Sequence, residues 1–386
     1  MGAHPWAGRG CGARPLTSIG EPRLRRLVLI GAGRANLRLL RALSRPIVRG
    51  LEIVLVTIDR DLFDPSMTSG LLRGAYALDD VRIDVAAVAE RAGARVVHAT
   101  ADRIVPGAHM VHAGTERIAF DLCVLDEIGP SADADLPGVA EHAIALRPAA
   151  RLAEVRRVVE ERLIAHSGPV RCTIVGGGTT GIECAFSLQR MLRARPAGGV
   201  VTIVDSASDI LRDVAPCRDI ARRALEQAGV CFALGARVIE VFPDGVALAS
   251  GGSLPGDITI WATGGAPPSL IVSSELPHDA RGRLLVDERL RAQDGSPIWA
   301  AGDCAATTEI RADAESQDAV LASEIRRHLG TRGGRLARPR SSALCMLDTG
   351  DGRAILRWGG ITMRSRLAWW LKRRADRRFV TRMRDP

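Results

Sequence analysis

Short, wholly apolar runs alternate along this chain with stretches in which apolar residues return every three or four positions. Leu27-Val28-Leu29-Ile30 is such a run, and Leu37, Leu39, Leu40 and Leu43 follow it at helical spacing. The first pattern predicts a parallel strand buried on both faces, the second an amphipathic helix. A second strand is predicted from Glu52 to Ile58, ending at Asp59. The same order returns later: a strand over Val170–Val175, a helix from Ile182 to about Leu192, and a strand over Val200–Val204 ending at Asp205. Between the two copies, the pattern predicts a helix over Arg82–Arg91, a short strand at Arg95–Val97, hairpins over 102–120, a buried strand over Phe120–Leu125 and a connecting helix over 148–165. Residues 60–80 show no period. Beyond the second copy come a helix over about Cys217–Ala228, short strands near 230–233, 237–241 and 245–248, and further strands at Asp257–Ala262, Leu284–Val286 and Ile298–Ala300. A helix over Ala314–Leu329, a Gly/Arg/Pro linker over 331–341, two strands within 342–358 and a basic, Trp-containing helix close the chain.

In each copy a glycine turn separates the strand from the helix. The first is Gly31-Ala32-Gly33-Arg34-Ala35-Asn36 and the second is Gly176-Gly177-Gly178-Thr179-Thr180-Gly181. A glycine turn at a helix N-terminus lets a pyrophosphate approach the backbone, where free N–H groups and the helix dipole favour an anion. Each copy also carries an acid at the end of its second strand. Asp59 lies 28 residues past Gly31, and Asp205 lies 29 past Gly176, where each can accept hydrogen bonds from a ribose. Strand, glycine turn, helix, strand and acid, present twice, predict two mononucleotide-binding halves and so two dinucleotides. Asn36 replaces the third glycine of the first turn, a position that packs helix on strand. Asp205 disfavours a 2′-phosphate and so favours NADH over NADPH, with Arg212 nearby as a counter-signal.

Composition narrows the picture little. A chain of 386 residues has room for two cores, and its 46% apolar and 25% charged residues are ordinary for a folded protein. Net charge is +9, and of 53 Lys and Arg residues a single one is lysine, Lys372. That excess favours anionic partners, but no recognition motif supports nucleic acid. Eight cysteines without a C-x-x-C pair argue against a disulfide scaffold or a zinc site and fit a reducing, cytoplasmic compartment. His109 and His112 have no third ligand, so no metal is expected. No apolar run reaches the length of a membrane span. Residues 1–24 lack an apolar signal region and are expected to be a disordered tail.

Two glycine turns, Gly181-x-Glu183, then Trp261-Ala262-Thr263-Gly264, then Ala301-Gly302-Asp303 come in the order of a known family. From about residue 26 to 330 the chain resembles the FAD-dependent pyridine nucleotide–disulfide oxidoreductases. Without a redox Cys pair, it resembles their type II NADH dehydrogenase branch. Asp348-Thr349-Gly350-Asp351-Gly352-Arg353-Ala354 and Leu371–Phe379 are similar to the oxidoreductase module found alone or fused to selenide, water dikinase. The resemblance implies an α/β fold of two Rossmann-like domains, one inserted in the other, with a small C-terminal α+β region. An FAD-binding domain would span 25–147 and 275–330, an NAD(P)H-binding domain 148–274, and an interface or membrane-surface region 331–386.

It further implies that Gly31, Gly33, Asn36, Asp59, Gly129, Gly302, Asp303 and Gln317 hold FAD. Gly176, Gly178, Gly181, Glu183, Asp205 and Gly264 would hold NADH, with Glu183 nearest the nicotinamide as its positioning residue. Electrons would pass from NADH through FAD to a quinone or another small-molecule acceptor. Two alternatives stand beside this: a soluble reductase of a protein or a selenium or sulfur compound, and a degenerate member that binds nucleotide without turnover. The chain departs from the family pattern at Phe63–Gly70, at Asp126-Glu127-Ile128-Gly129-Pro130 and at Glu309–Ala314, and the last two, near where the resemblance places the flavin, motivate the second alternative. Over 363–384, Met363, Leu367, Trp370 and Leu371 with flanking arginines suit the inner face of a membrane. A homodimer is compatible with the same region. Cys304, beside Asp303, reads as a small buried residue rather than a redox thiol.

Overall fold

The computed structural model describes residues 24–44, 48, 50–127, 129–147, 152–307, 314–330, 345–358 and 360–385. The expected tail, the linker at 331–341, Ile128 and most of the Glu309–Ala314 departure lie outside these. The strands that build the two main sheets are β1 (Arg25–Ile30), β2 (Leu51–Val56), β3 (Arg95–Val97), β4 (Leu122–Leu125), β5 (Ala143–Ala145), β6 (Val170–Val175), β7 (Gly199–Asp205), β8 (Cys231–Leu234), β9 (Ile258–Trp261) and β10 (Ile298–Ala300). The C-terminal strands are β11 (Cys345–Asp348), β12 (Ala354–Trp358) and β13 (Ile361–Ser365). The helices that matter below are α1 (Arg34–Ser44), α2 (Val85–Arg91), α3 (Leu152–Ala165), α4 (Thr179–Arg193), α5 (Ala215–Gln227), α6 (Ala314–His328) and α7 (Arg366–Arg384).

Two five-stranded parallel sheets carry the molecule. The first runs β10-β4-β1-β2-β3 and the second β5-β9-β6-β7-β8. The central strands are the continuous apolar runs of the sequence. Leu27 to Ile30 and Cys172 to Val175 are buried because helices cover both faces of each sheet. In both, the strand order reverses beside the glycine turn, which opens a crevice at the carboxyl ends of the strands. Residues 25–125 and β10 build the first sheet, whereas residues 143–261 build the second. β5 therefore pairs in the second sheet although it precedes residue 148.

Local differences from the sequence expectation have simple causes. Arg82–Asp84 pairs with Asp61–Phe63 as a strand, and the helix begins only at Val85, where Asp84 accepts a 2.9 Å bond from Ala87 N–H and caps it. The segment 60–80 contains a short strand and a helical turn, Thr68–Leu72, whose residues are buried. The C-terminal region has three antiparallel strands, not two. Helix α7 starts after Ser365, whose hydroxyl accepts from Ala368 N–H at 3.0 Å.

Helix α7 also turns a different face inward. Ala368, Lys372, Asp376, Phe379, Val380 and Met383 are its buried residues, at helical spacing. The row read as its apolar face, Met363, Leu367, Trp370 and Leu371, is exposed, together with Trp358 and Ile361. Among the described residues no helix is long and apolar enough to cross a membrane.

Candidate functional site

The second glycine turn faces an open crevice of about 1020 Å³. Gly176 adopts φ +117° at the end of β6, and a Cβ there would meet Ala262 O at 2.6 Å. Gly181 lets α4 lie on the turn, since its Cβ would stand 2.0 Å from Gly176 O. Gly178 caps α4 with no side-chain bond to the helix, and Gly178 and Thr179 are exposed. The first N–H groups of α4 are thus open to a ligand. Asp205 accepts from Gly177 N–H at 2.6 Å and from Ala207 N–H at 2.7 Å, which fixes its carboxylate beside the turn. Gly264 lies on the opposite wall. Arg147, Arg212, Arg237 and Arg281 line the crevice together with Asp133, Asp205, Asp209 and Asp303, so it offers cationic groups for phosphates and carboxylates for hydroxyls.

At its far end the crevice reaches Asp303, which pairs with Arg147 at 2.8 Å. The pair joins the two sheets, because Arg147 follows β5 and Asp303 follows β10. Gly265 makes room for it, as a Cβ there would lie 2.7 Å from both side chains. Gln317 Oε1 accepts from Gly302 N–H at 2.9 Å and ties α6 to the same loop.

The first glycine turn is closed. Gly31, Ala32, Gly33, Ala35 and Asn36 are all buried. Asp126, at the end of β4, accepts from Asn36 N–H at 2.9 Å, so a carboxylate already sits on the N-terminus of α1. A Cβ on Gly33 would fall 2.3 Å from that carboxylate carbon. Burial pushes the Asp126 carboxyl up to about 7, opposed by N–H donors of Asn36 and Ala35 and reinforced by Asp318 and Asp303. Asn36 donates through its side chain to Ile30 O at 3.0 Å and Gly31 O at 2.8 Å. Its amide therefore stitches helix to strand where the second turn uses the absence of a side chain. Asp59 is half-buried, and burial raises its pKa. Gly129 approaches Ala266 closely, with room for no side chain.

Glu183 is buried and faces the C-terminal region, away from the crevice lining. Its Oε1 accepts from Asp348 N–H at 2.7 Å and lies 3.5 Å from Lys372 Nζ. Lys372 also contacts Asp376 at 3.0 Å and donates to Ser66 O at 2.8 Å. Burial alone would lower the Lys372 ammonium, but Glu183 and Asp376 hold it above its ordinary range. Burial pushes Glu183 up to about 7 against the pull of Lys372. Removing one partner from such a buried group costs about 3–5 kcal/mol, because it strands the other charge. The cluster thus clamps α4 and the Asp64–Thr68 segment to α7.

Asp126, Arg147, Lys372 and Asp376 escape the motif reading of the sequence. Lys372 and Asp376 had a signal: they sit four residues apart, in register with Ala368, Phe379 and Met383. The structure brings Gly176, Gly178, Asp205 and Gly264 to one crevice and Gly302, Asp303 and Gln317 to its end. Gly31, Gly33, Asn36 and Asp126 form a covered cluster next to the Gly302 loop, since a Cβ on Gly302 would stand 3.2 Å from Asp126 Oδ1. Cys304 is fully buried and donates to Glu127 O at 3.3 Å, and burial holds its thiol protonated. His109 stacks on Phe120, and His112 meets Arg117.

The donor set fits a flavin dinucleotide. Asp59 stands at the strand end that suits a ribose, α1 presents an N-terminus, and Gly302, Asp303 and Gln317 follow at the end of the crevice. The Asp126 carboxylate is an internal anion on the α1 N-terminus and marks it as an anion seat.

Comparison with known proteins supplies the context. The chain is 26% identical over 318 residues to the Arabidopsis thaliana mitochondrial internal alternative NAD(P)H-ubiquinone oxidoreductase A1, covering 74% of this chain and 62% of that one. It thus spans about three fifths of that relative's length. It is 27% identical over 195 residues to the demethylphylloquinone reductase NdbB of Synechocystis sp., covering 49% of this chain and 47% of that protein. Its fold is similar to the sulfide:quinone oxidoreductase of Aquifex aeolicus, with a TM-score of 0.78 at 18% identity over 93% of this chain and 91% of the other. It is also similar to NDH2 of Plasmodium falciparum solved with NADH, at 0.72 and 11%, over 94% and 97%. Residues 25–324 match the family model described as pyridine nucleotide-disulphide oxidoreductase, and the chain belongs to that family.

Proposed function

We propose that the protein oxidises NADH through FAD and passes the electrons to a quinone or another small-molecule acceptor. The observation that carries this reading is the crevice that holds the exposed N-terminus of α4, the Asp205 carboxylate beside it and Asp303 in one lining. Family membership implies flavin and NAD(P)H use, and two relatives are named for quinone-type acceptors. NADH stands ahead of NADPH because Asp205 borders the ribose position, although Arg212 and Arg237 line the same crevice.

In this reading the N–H groups at Gly178–Thr180 hold the nucleotide pyrophosphate, and Asp205 accepts from a ribose. Gly264 leaves the opposite wall open. Bound flavin supplies a hydride acceptor that can hand on its electrons. Asp59, the α1 N-terminus, Gly129, Gly302, Asp303 and Gln317 would hold it. Glu183 acts as a positioning residue: through Lys372 it fixes α4, and with it the nicotinamide wall, against α7.

The exposed row of Trp358, Ile361, Met363, Leu367, Trp370 and Leu371 suits a peripheral membrane contact, and a second copy of the chain would cover the same residues. Sedimentation with vesicles against the solution mass separates the two. The test of the activity is a visible spectrum of FAD-supplied protein before and after anaerobic NADH. Flavin bands that bleach support the reading, and bands that persist overturn it. A protein that stays colourless after FAD is supplied supports a second reading, a nucleotide-binding protein without turnover, which the Asp126 carboxylate on α1 favours.

A further inference from the structure

A second cavity, of about 740 Å³, opens on the outer face of the first domain between α1, the end of α2 and α7. Six arginines border it: Arg38 and Arg41 from α1, Arg91 from α2, and Arg374, Arg378 and Arg382 from α7. The one carboxylate on its lining is Asp385. Val88, Phe379 and Met383 give it an apolar floor. It shares no lining residue with the nicotinamide crevice.

Arg91, Arg38 and Arg374 are held in place, the last with its guanidinium 5.6 Å above the Trp370 ring. Arg91 donates to Met383 O, and Arg38 lies 5.1 Å above the Phe379 ring and 3.2 Å from Asp318. Arg41, Arg374 and Arg378 meet no carboxylate among the described residues. Arg374, Arg378 and Arg382 repeat at four-residue spacing, where like charges destabilise the helix that carries them. The contrast with the inner face of the same helix is informative. There a lone ammonium, Lys372, receives two carboxylates. Where α7 is buried the chain supplies counter-charge, and to Arg41, Arg374 and Arg378 along this cavity it supplies no carboxylate among the described residues. Guanidinium groups from three helices suit clustered phosphates, because each forks onto two anionic oxygens and a phosphate brings more oxygens and more charge per group than a carboxylate.

We infer that the cavity between α1, α2 and α7 is a binding site for a ligand that carries clustered phosphate groups. The ligand's uncharged part would rest on Phe379, Val88 and Met383. An anionic lipid headgroup and a free polyphosphate share this chemistry. The site is independent of flavin retention, so its test needs no turnover.

Tripolyphosphate is the soluble probe, titrated by calorimetry into the full-length protein. The variants are Arg41→Gln/Arg378→Gln and, as a control of equal charge change, Arg157→Gln/Arg223→Gln. The expected result is saturable binding that weakens about tenfold or more in the first variant and stays unchanged in the control. Arg374→Gln is the single replacement to use if the double variant fails to fold. No binding, or equal weakening in both variants, overturns the proposal. Sedimentation with phosphatidylcholine vesicles, with and without phosphatidic acid, then separates the sources. Sedimentation that needs phosphatidic acid and is reversed by tripolyphosphate identifies a lipid headgroup; tripolyphosphate binding without such sedimentation identifies a free ligand. Vesicle binding that is indifferent to Arg41 and Arg378, with no tripolyphosphate binding, assigns the charge to the Trp face and overturns the site.

Discussion

The two glycine turns begin from the same design and end in opposite conditions. At the second, Gly178 and Thr179 are exposed and the first N–H groups of α4 face an open crevice. At the first, every residue but Arg34 is buried and Asp126 bonds the N-terminus of α1. A nucleotide that comes and goes is suited by a ready seat. A cofactor meant to stay can be admitted to a seat that the protein keeps neutralised until it arrives. The difference turns on one strand-end residue and one replaced glycine.

Gly181→Ala tests the open turn hardest. Its Cβ would press on Gly176 O, so overpacking should cost about 3 kcal/mol and abolish NADH binding. Thermal melting and nucleotide fluorescence check both, and a variant with normal melting and normal NADH binding would break the account. Asp205→Ala removes the acceptor for two backbone N–H groups and the proposed ribose contact. NADH affinity should fall by about 2 kcal/mol, roughly thirtyfold.

Asp126→Asn sharpens the comparison on the closed side. The Asp126 carboxyl is pushed up to about 7, so below that pH it is neutral and tolerates a neighbouring phosphate. Above it the carboxylate repels one. FAD affinity of the flavin-free protein should therefore weaken as pH rises from 6 to 8.5, by up to about tenfold per pH unit above the pKa. In the Asn variant the profile should be flat and the affinity at high pH greater. A raised carboxyl pKa also means that the folded state binds more protons than the unfolded one. The contribution of Asp126 to stability is thus greatest at acid pH and is lost as pH climbs from the ordinary carboxylate range to about 7. Melting of the Asn variant should vary less across that window. An unchanged FAD profile would count against a shared seat.

Asn36→Gly has the smallest expected effect. It loses two side-chain bonds to Ile30 O and Gly31 O but restores the pattern of the second turn. A loss of about 1–2 kcal/mol with FAD affinity unchanged would mark the amide as a stitch. Tighter FAD binding would instead mark it as an obstacle.

Much of this was readable in the chain. The continuous apolar runs at Leu27–Ile30 and Val170–Val175, the glycine turns and the terminal acids placed both sheets and both helix N-termini. What escaped depends on side chains meeting across elements. Asp126 gives no local sign that it will cover α1 rather than a ribose, because the contact spans 90 residues. The third C-terminal strand was legible in the alternation of Ile361 and Met363 after Gly359-Gly360, but the helical reading of Met363 hid it. The inward face of helix α7 was not legible, since a Lys and an Asp at four-residue spacing resemble a solvated pair. Their burial is explained by Glu183 on α4 and by Ser66, both far back in the chain.

One consequence of the clamp concerns chemistry at the bench. Lys372 carries the only side-chain ε-amine of the chain, and it is buried under three elements. Amine-directed reagents will find no side chain to modify while α7 stays docked. The rate at which that single position becomes acylated is then a clock for the undocking of the C-terminal helix, readable by mass at one peptide.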